Sequence, residues 1–197
     1  MRRHLDTAIR MTILTAILLG LVYPLAMTGI AQVLFPGAAD GSLVKVNGQV
    51  VGSTLIAQAF TQDKYFWPRP SAAGKGYDAM ASSFSNLGPT NKTLIDRVQS
   101  AVQAQVRANP GLKAGAVPVD MVTTSASGLD PDITVANARA QAARVAAARG
   151  MSEQQVLQFV ERSTTGRTFG FLGEPRVNVL ELNMALDKAA PSSQASR

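Results

Sequence analysis

The chain contains no cysteine, which excludes disulfides, thiolate nucleophiles and thiolate metal sites, and leaves the redox compartment unread. Its only histidine is His4. Everything downstream therefore lacks an imidazole for a triad, a general base or a zinc site. Aromatics are scarce at 6%, and charged residues make up only 16%. Lys and Arg outnumber Asp and Glu by 19 to 13, giving a net charge of +6 and a pI near 10.1. That excess is scattered, with no basic run longer than Arg2-Arg3. Nucleic-acid binding needs a clustered patch, often interleaved with aromatics, so no nucleic-acid partner is expected.

Charge is missing altogether from Met11 to Phe35. As a helix this run is roughly 37 Å long, against a hydrocarbon core of roughly 30 Å. A signal-peptide apolar region is usually only about 7–15 residues, and a buried soluble helix would keep a polar stripe. Residues 11–35 are therefore expected to form a retained transmembrane helix. Pro24 is expected to kink it, while Gly20 and Gly29 are small enough to admit a neighbouring helix. Gly20, Pro24 and Gly29 are the candidate transmembrane interface. Arg2, Arg3 and Arg10 precede the span against Asp6 alone, and residues 36–55 hold only Lys45 as a base. The positive-inside rule puts residues 1–10 in the cytoplasm and the rest outside it.

Residues 36–190 are enough for one domain, expected to be α+β, and 191–197 read as a flexible polar tail. Leu43–Val46 and Val50–Gly52 flank Asn47-Gly48, a hairpin signature. Leu94, Ile95, Val98, Ala101, Val102 and Val106 recur at helical spacing, with Thr90 or Asn91 as N-cap and Asn109-Pro110-Gly111 as stop. Val117–Thr124 has the β-branched character of a buried strand. Thr134 caps a helix running to Arg149 with Gly150 beyond its end, and Ser152 with Gln155 forms a capping box for the next. Thr164–Gly173 reads as a loop. Asn178 with Glu181 suits the start of a last helix, although Arg176–Val179 fits a strand equally well.

Two loops are candidate docking surfaces. In Tyr65-Phe66-Trp67-Pro68-Arg69-Pro70-Ser71 the prolines forbid a regular element, so the aromatics either plug the core or face a partner. Tyr65, Phe66, Trp67 and Arg69 are the candidates there. Tyr77–Asn91 is a polar loop, and Ser85, Asn86, Leu87, Gly88, Pro89, Thr90 and Asn91 are its candidates. Catalytic motifs fail by spacing. A phosphate loop around Gly74-Lys75 would need glycine where Arg69 stands and Ser or Thr where Gly76 stands. Ser71 and Lys75 are one residue too far apart for an S-x-x-K nucleophile. Asp130 and Asp132 suit a turn and helix start better than paired catalysis. No catalytic residue, metal site or cofactor-binding motif is visible.

The same residues carry a resemblance. Tyr23-Pro24-Leu25, Thr28-Gly29-Ile30-Ala31-Gln32, Tyr65-Phe66 with Arg69-Pro70-Ser71, and Ser85-Asn86-Leu87-Gly88-Pro89-Thr90-Asn91 occur in order. Ser127-Gly128-Leu129-Asp130-Pro131, Gly173-Glu174-Pro175-Arg176-Val177-Asn178-Val179 and Leu182-Asn183 with Ala185-Leu186-Asp187 follow. Together, across residues 23–187, they resemble the C subunit of Kdp-type potassium-transporting P-type ATPases. Ala126 stands where that family usually has Gly, Asp132 where it usually has His, and Phe84 at a usually smaller position. The resemblance implies a subunit of a bacterial inner-membrane complex. Its expected partners are a channel-like potassium-binding subunit, a P-type ATPase subunit and a small single-span subunit. It also implies a catalytic chaperone that raises the ATP affinity of the ATPase subunit, so ATP is implied for the complex. A domain outside the cytoplasm cannot meet ATP, so contact with the potassium-binding subunit and indirect coupling are expected instead. The alternatives are an anchored serine hydrolase using Ser71 or Ser127, and a ligand-binding sensor domain.

Overall fold

The structure is a computed structural model and describes residues 1–189; the tail assigned to 191–197 lies outside the described residues. The chain divides into two compact units, Met1–Val51 and Gly52 onward.

In the first unit, α1 (Arg2–Ile17) and α2 (Tyr23–Leu34) run into one another through a π-helical turn, Leu18–Val22. Proline explains the turn. Pro24 has no N–H, and its ring crowds the carbonyl four residues back, at Gly20. Widening the turn accommodates both without breaking the helix. The whole of Arg2–Leu34 is long and apolar enough to cross a membrane, and none of its most apolar window is buried. A single turn, α3 (Pro36–Ala39), follows at Pro36. Strands β1 (Leu43–Val46) and β2 (Gln49–Ser53) then form a hairpin. Asn47 and Gly48, at φ 51° and 79°, supply its left-handed turn.

The second unit holds α4 (Lys92–Ala108), β3 (Asp132–Thr134), α5 (Val135–Arg149), α6 (Glu153–Arg162), β4 (Thr164–Thr165), β5 (Arg176–Asn178) and α7 (Val179–Ala189). The α+β expectation holds. Asn91 caps α4 by accepting the Thr93 N–H at 2.9 Å, as its sequence suggests. The capping box at Ser152 and Gln155 is complete, and Gly150 ends α5 at φ 64°. At the C-terminal end both readings apply in succession, strand to Asn178 and helix from Val179. Strand β5 is central, antiparallel to both β3 and β4, and Val177 faces Ile133 and Thr164.

The strand expected over Val117–Thr124 is absent. Val119–Met121 is a 3₁₀ turn, with the Val119 carbonyl accepting from the Val122 and Thr123 N–H groups. Those local bonds replace a ladder, and Met121 and Val122 are buried without one. Asp132 likewise does not open a helix; it lies in β3.

The core forms where α5 lays Ala138, Ala142, Val145 and Ala146 against Val156 and Val160 of α6, with Leu182 and Leu186 of α7. Alanine on α5 lets the helices approach closely. Phe66, from the irregular segment, is fully enclosed in this core.

Candidate functional site

Beside its alanine stripe, α5 carries Asn137, Gln141 and Arg144 at i, i+4 and i+7, all buried. They staple a segment that has no strand partner. Gln141 Oε1 accepts the Trp67 N–H at 2.8 Å, and its Nε2 donates to the Trp67 carbonyl at 3.0 Å. Asn183 of α7 treats Phe66 in the same way, at 2.8 and 3.0 Å. Two side-chain amides thus supply what a neighbouring strand would. Arg144 adds Nη1–H bonds to the Asp63 and Tyr65 carbonyls at 2.6 and 3.0 Å. Its Nε and Nη2 donate to Asn109 Oδ1 and Gln141 Oε1 at 3.0 and 2.6 Å. The guanidinium also lies 3.7 Å from the Trp67 ring centroid. Burial holds its pKa down to about 10, still high enough to keep it charged at neutral pH.

A second knot ties the loops. Ser71 Oγ donates to the Gly128 carbonyl at 2.6 Å and accepts the Tyr77 and Ala73 N–H groups at 2.8 and 3.1 Å. Tyr77 Oη donates to the Arg69 carbonyl at 2.7 Å, and burial pushes its phenol up to about 12. Gly128 sits at φ 69°, where a Cβ would lie 2.6 Å from the Ser83 carbonyl oxygen. Only glycine fits there. Ser127 Oγ meets the Leu129 N–H and the Ser125 hydroxyl. Both serines proposed as nucleophiles therefore serve loop geometry, and among the described residues the hydrogen bonds of their hydroxyls go to backbone groups and to Ser125.

Next to this knot lies a cleft of about 240 Å³ between Arg69, Asp120, Asp130, Asp132, Glu174 and Arg176. Its charges pair off, Arg69 with Asp130 and Arg176 with Asp132, each at 2.9 Å. Burial raises the Asp132 pKa, with Arg176 pulling the other way and Asp130 adding to the rise. Asp120 accepts from Thr134 N–H and Oγ–H and from Asn137 Nδ2 at 2.8, 3.1 and 3.0 Å. Among the described residues no group of three or more His, Cys, Asp or Glu is placed to hold a metal ion.

The docking candidates from the sequence separate. Phe66 plugs the core and presents nothing to a partner, because its own backbone and that of Trp67 are stapled inward by Asn183 and Gln141. Tyr65, Trp67 and Arg69 are half-buried. Trp67 lines an open cleft of about 350 Å³ with Phe60, Pro68, Pro70 and Tyr77, and none of residues 85–91 borders it. In that second run Asn86, Gly88, Pro89, Thr90 and Asn91 are exposed, while Ser85 and Leu87 are half-buried. Along the first helix, a Cβ at Gly20 or Gly29 would meet nothing within 4 Å, and Pro24 follows the π turn. The buried amides and Arg144 were not singled out from the sequence, although their i, i+4, i+7 spacing on α5 was legible. The exposed Phe169, Phe171 and Leu172, inside a segment read only as a loop, left no such signal.

These features define a class: a chain with one helix long enough to span a bilayer, followed by an α+β unit stapled through loop backbone. Residues 5–188 match the model of the family described as KdpC: K+-transporting ATPase, c chain. A KdpC subunit of a potassium-transporting ATPase from Koribacter versatilis is 56% identical over 194 residues, covering 97% of both chains. The Myxococcus xanthus counterpart is 58% identical over 183 residues, or 92% of this chain and 86% of the relative. One from Rhodospirillum rubrum is 54% identical over 191 residues, 97% of this chain and 98% of the relative. The chain belongs to the KdpC family, the C subunits of potassium-transporting ATPases.

Proposed function

We propose that this chain is a non-catalytic accessory subunit of an ATP-driven potassium uptake complex, anchored by residues 11–35 with residues 36–190 outside the cytoplasm. Its role is assembly and stability, through contact with the channel-like potassium-binding subunit. The P-type ATPase subunit and a small single-span subunit complete the complex. Any effect on ATP affinity passes through the membrane subunits, as coupling between sites.

The observation that carries this reading is where the polar side chains go. Asn137, Gln141, Arg144, Asn183 and Ser71 are bonded to one another and to loop backbone, which builds a rigid shape. A phosphate cradle needs free backbone N–H groups at a glycine-rich helix start. The Ala73 and Tyr77 N–H groups, beside Gly74-Lys75-Gly76, are directed at Ser71 Oγ instead. Calorimetry of the full chain in detergent tests this. ATP should bind no better than other anionic metabolites. Saturable, adenine-selective binding would overturn the assembly role and support a chaperone that holds nucleotide itself.

A further inference from the structure

Between β4 and β5 the chain makes a small, stiff projection. Thr168 and Leu172 bridge each other, each N–H donating to the other's carbonyl at 2.9 Å. Phe169 and Gly170 turn the tip at φ 54° and 82°. Left-handed backbone is costly for a bulky residue, so the fold holds Phe169 outward against its own preference. At the base, Arg167 grips both carboxylate oxygens of Glu174 at 2.9 and 2.7 Å. The result displays Phe169 at 83% exposure, Phe171 at 69% and Leu172 at 50%. From Thr168 to Gly173 there is no charge.

We propose that this tip inserts into the interface of an anionic phospholipid bilayer. The inference rests on the spanning reading of the first helix and not on the docking role. Three observations select lipid. The chain's own apolar helix keeps a bilayer within reach of a covalent tether. Beside the tip the charges are paired, Arg167 with Glu174 and Arg176 with Asp132. The net charge of +6 on the chain complements anionic headgroups. Finally, three exposed apolar side chains share one tight bridged turn, a group that suits burial by roughly 5–10 Å at the headgroup–acyl boundary. Phe in such a position is shielded from water without crossing the membrane.

The absence of cysteine makes the test direct. Phe171→Cys and, separately, Leu172→Cys avoid the left-handed positions, and Val119→Cys is an exposed control elsewhere. Each full-length variant is nitroxide-labelled and reconstituted, with the subunits that accompany it, in phosphatidylethanolamine–phosphatidylglycerol vesicles. Collision with oxygen and with a water-soluble nickel chelate is read by electron paramagnetic resonance. Carbonate extraction checks separately that the helix is inserted. Labels at 171 and 172 should favour oxygen over nickel several-fold, with the order reversed at 119. Nickel access at 171 and 172 equal to that at 119 would overturn the proposal. So would closure to both reagents, the mark of a protein partner.

Discussion

A guanidinium removed from water costs several kcal/mol unless its N–H groups meet acceptors. Arg144 meets four, from Asn109, Gln141, Asp63 and Tyr65, and stacks on Trp67. A lysine ammonium has neither the fork nor the flat face. Arg144→Lys is therefore expected to lower stability by about 2–4 kcal/mol, read as a lower urea midpoint at unchanged slope. An unmoved midpoint would contradict the staple. Asp132 behaves oppositely. Its folded pKa is raised, chiefly by burial, so the native state takes up its proton more readily than the unfolded chain. The stability it contributes is fully present below its ordinary value of 3.8 and is lost as pH rises through the raised value. Relative to the parent, Asp132→Asn should gain melting temperature on going from acid to neutral pH. A difference that shrinks over that range would reverse the assignment. Neither residue's role was legible in the sequence, because both depend on which loop lies opposite.

At the scale of elements, signals confined to a few neighbouring residues were readable. Asn91, Thr134 and Ser152 cap the helices they precede, and Gly150 ends α5. Ser152→Ala should cost about 1 kcal/mol in the same denaturation assay, and no change would mean the cap is idle. Val117–Thr124 misled because β-branching reports half-buried packing as much as strand pairing, and here packing is met without a partner strand. Phe66 illustrates the same limit: aromatics beside prolines fit a plug or a docking face, and only the amides of Gln141 and Asn183 decide between them. In the first helix, Pro24 was legible as a disturbance, but its form, a π turn at Leu18–Val22, was not. If the open faces at Gly20 and Gly29 admit a neighbouring helix, Gly20→Leu should weaken co-purification of partner subunits while membrane insertion persists. Full recovery of the partners with the variant would remove that interface.

For the whole molecule, the α+β architecture after one apolar helix was readable from periodicity, caps and a charge-free run. The division after Val51 was not, since no composition shift marks it. The charge asymmetry around the span makes a prediction about the entire chain. An alkaline phosphatase fused at the C-terminus should be active and a green fluorescent protein in its place dark, and the opposite pattern would invert the topology. The central claim, that the chain completes a potassium-transporting complex by assembly rather than chemistry, is tested most directly by transport itself. Partner subunits purified from cells lacking this chain would be reconstituted in vesicles, and ATP-driven potassium uptake measured before and after adding back the full chain. The account predicts little uptake without it, and restoration equally by the parent chain and by Ser127→Ala. Full uptake without the chain, or failure to restore it by a Ser127→Ala chain that still co-purifies with its partners, would contradict that claim.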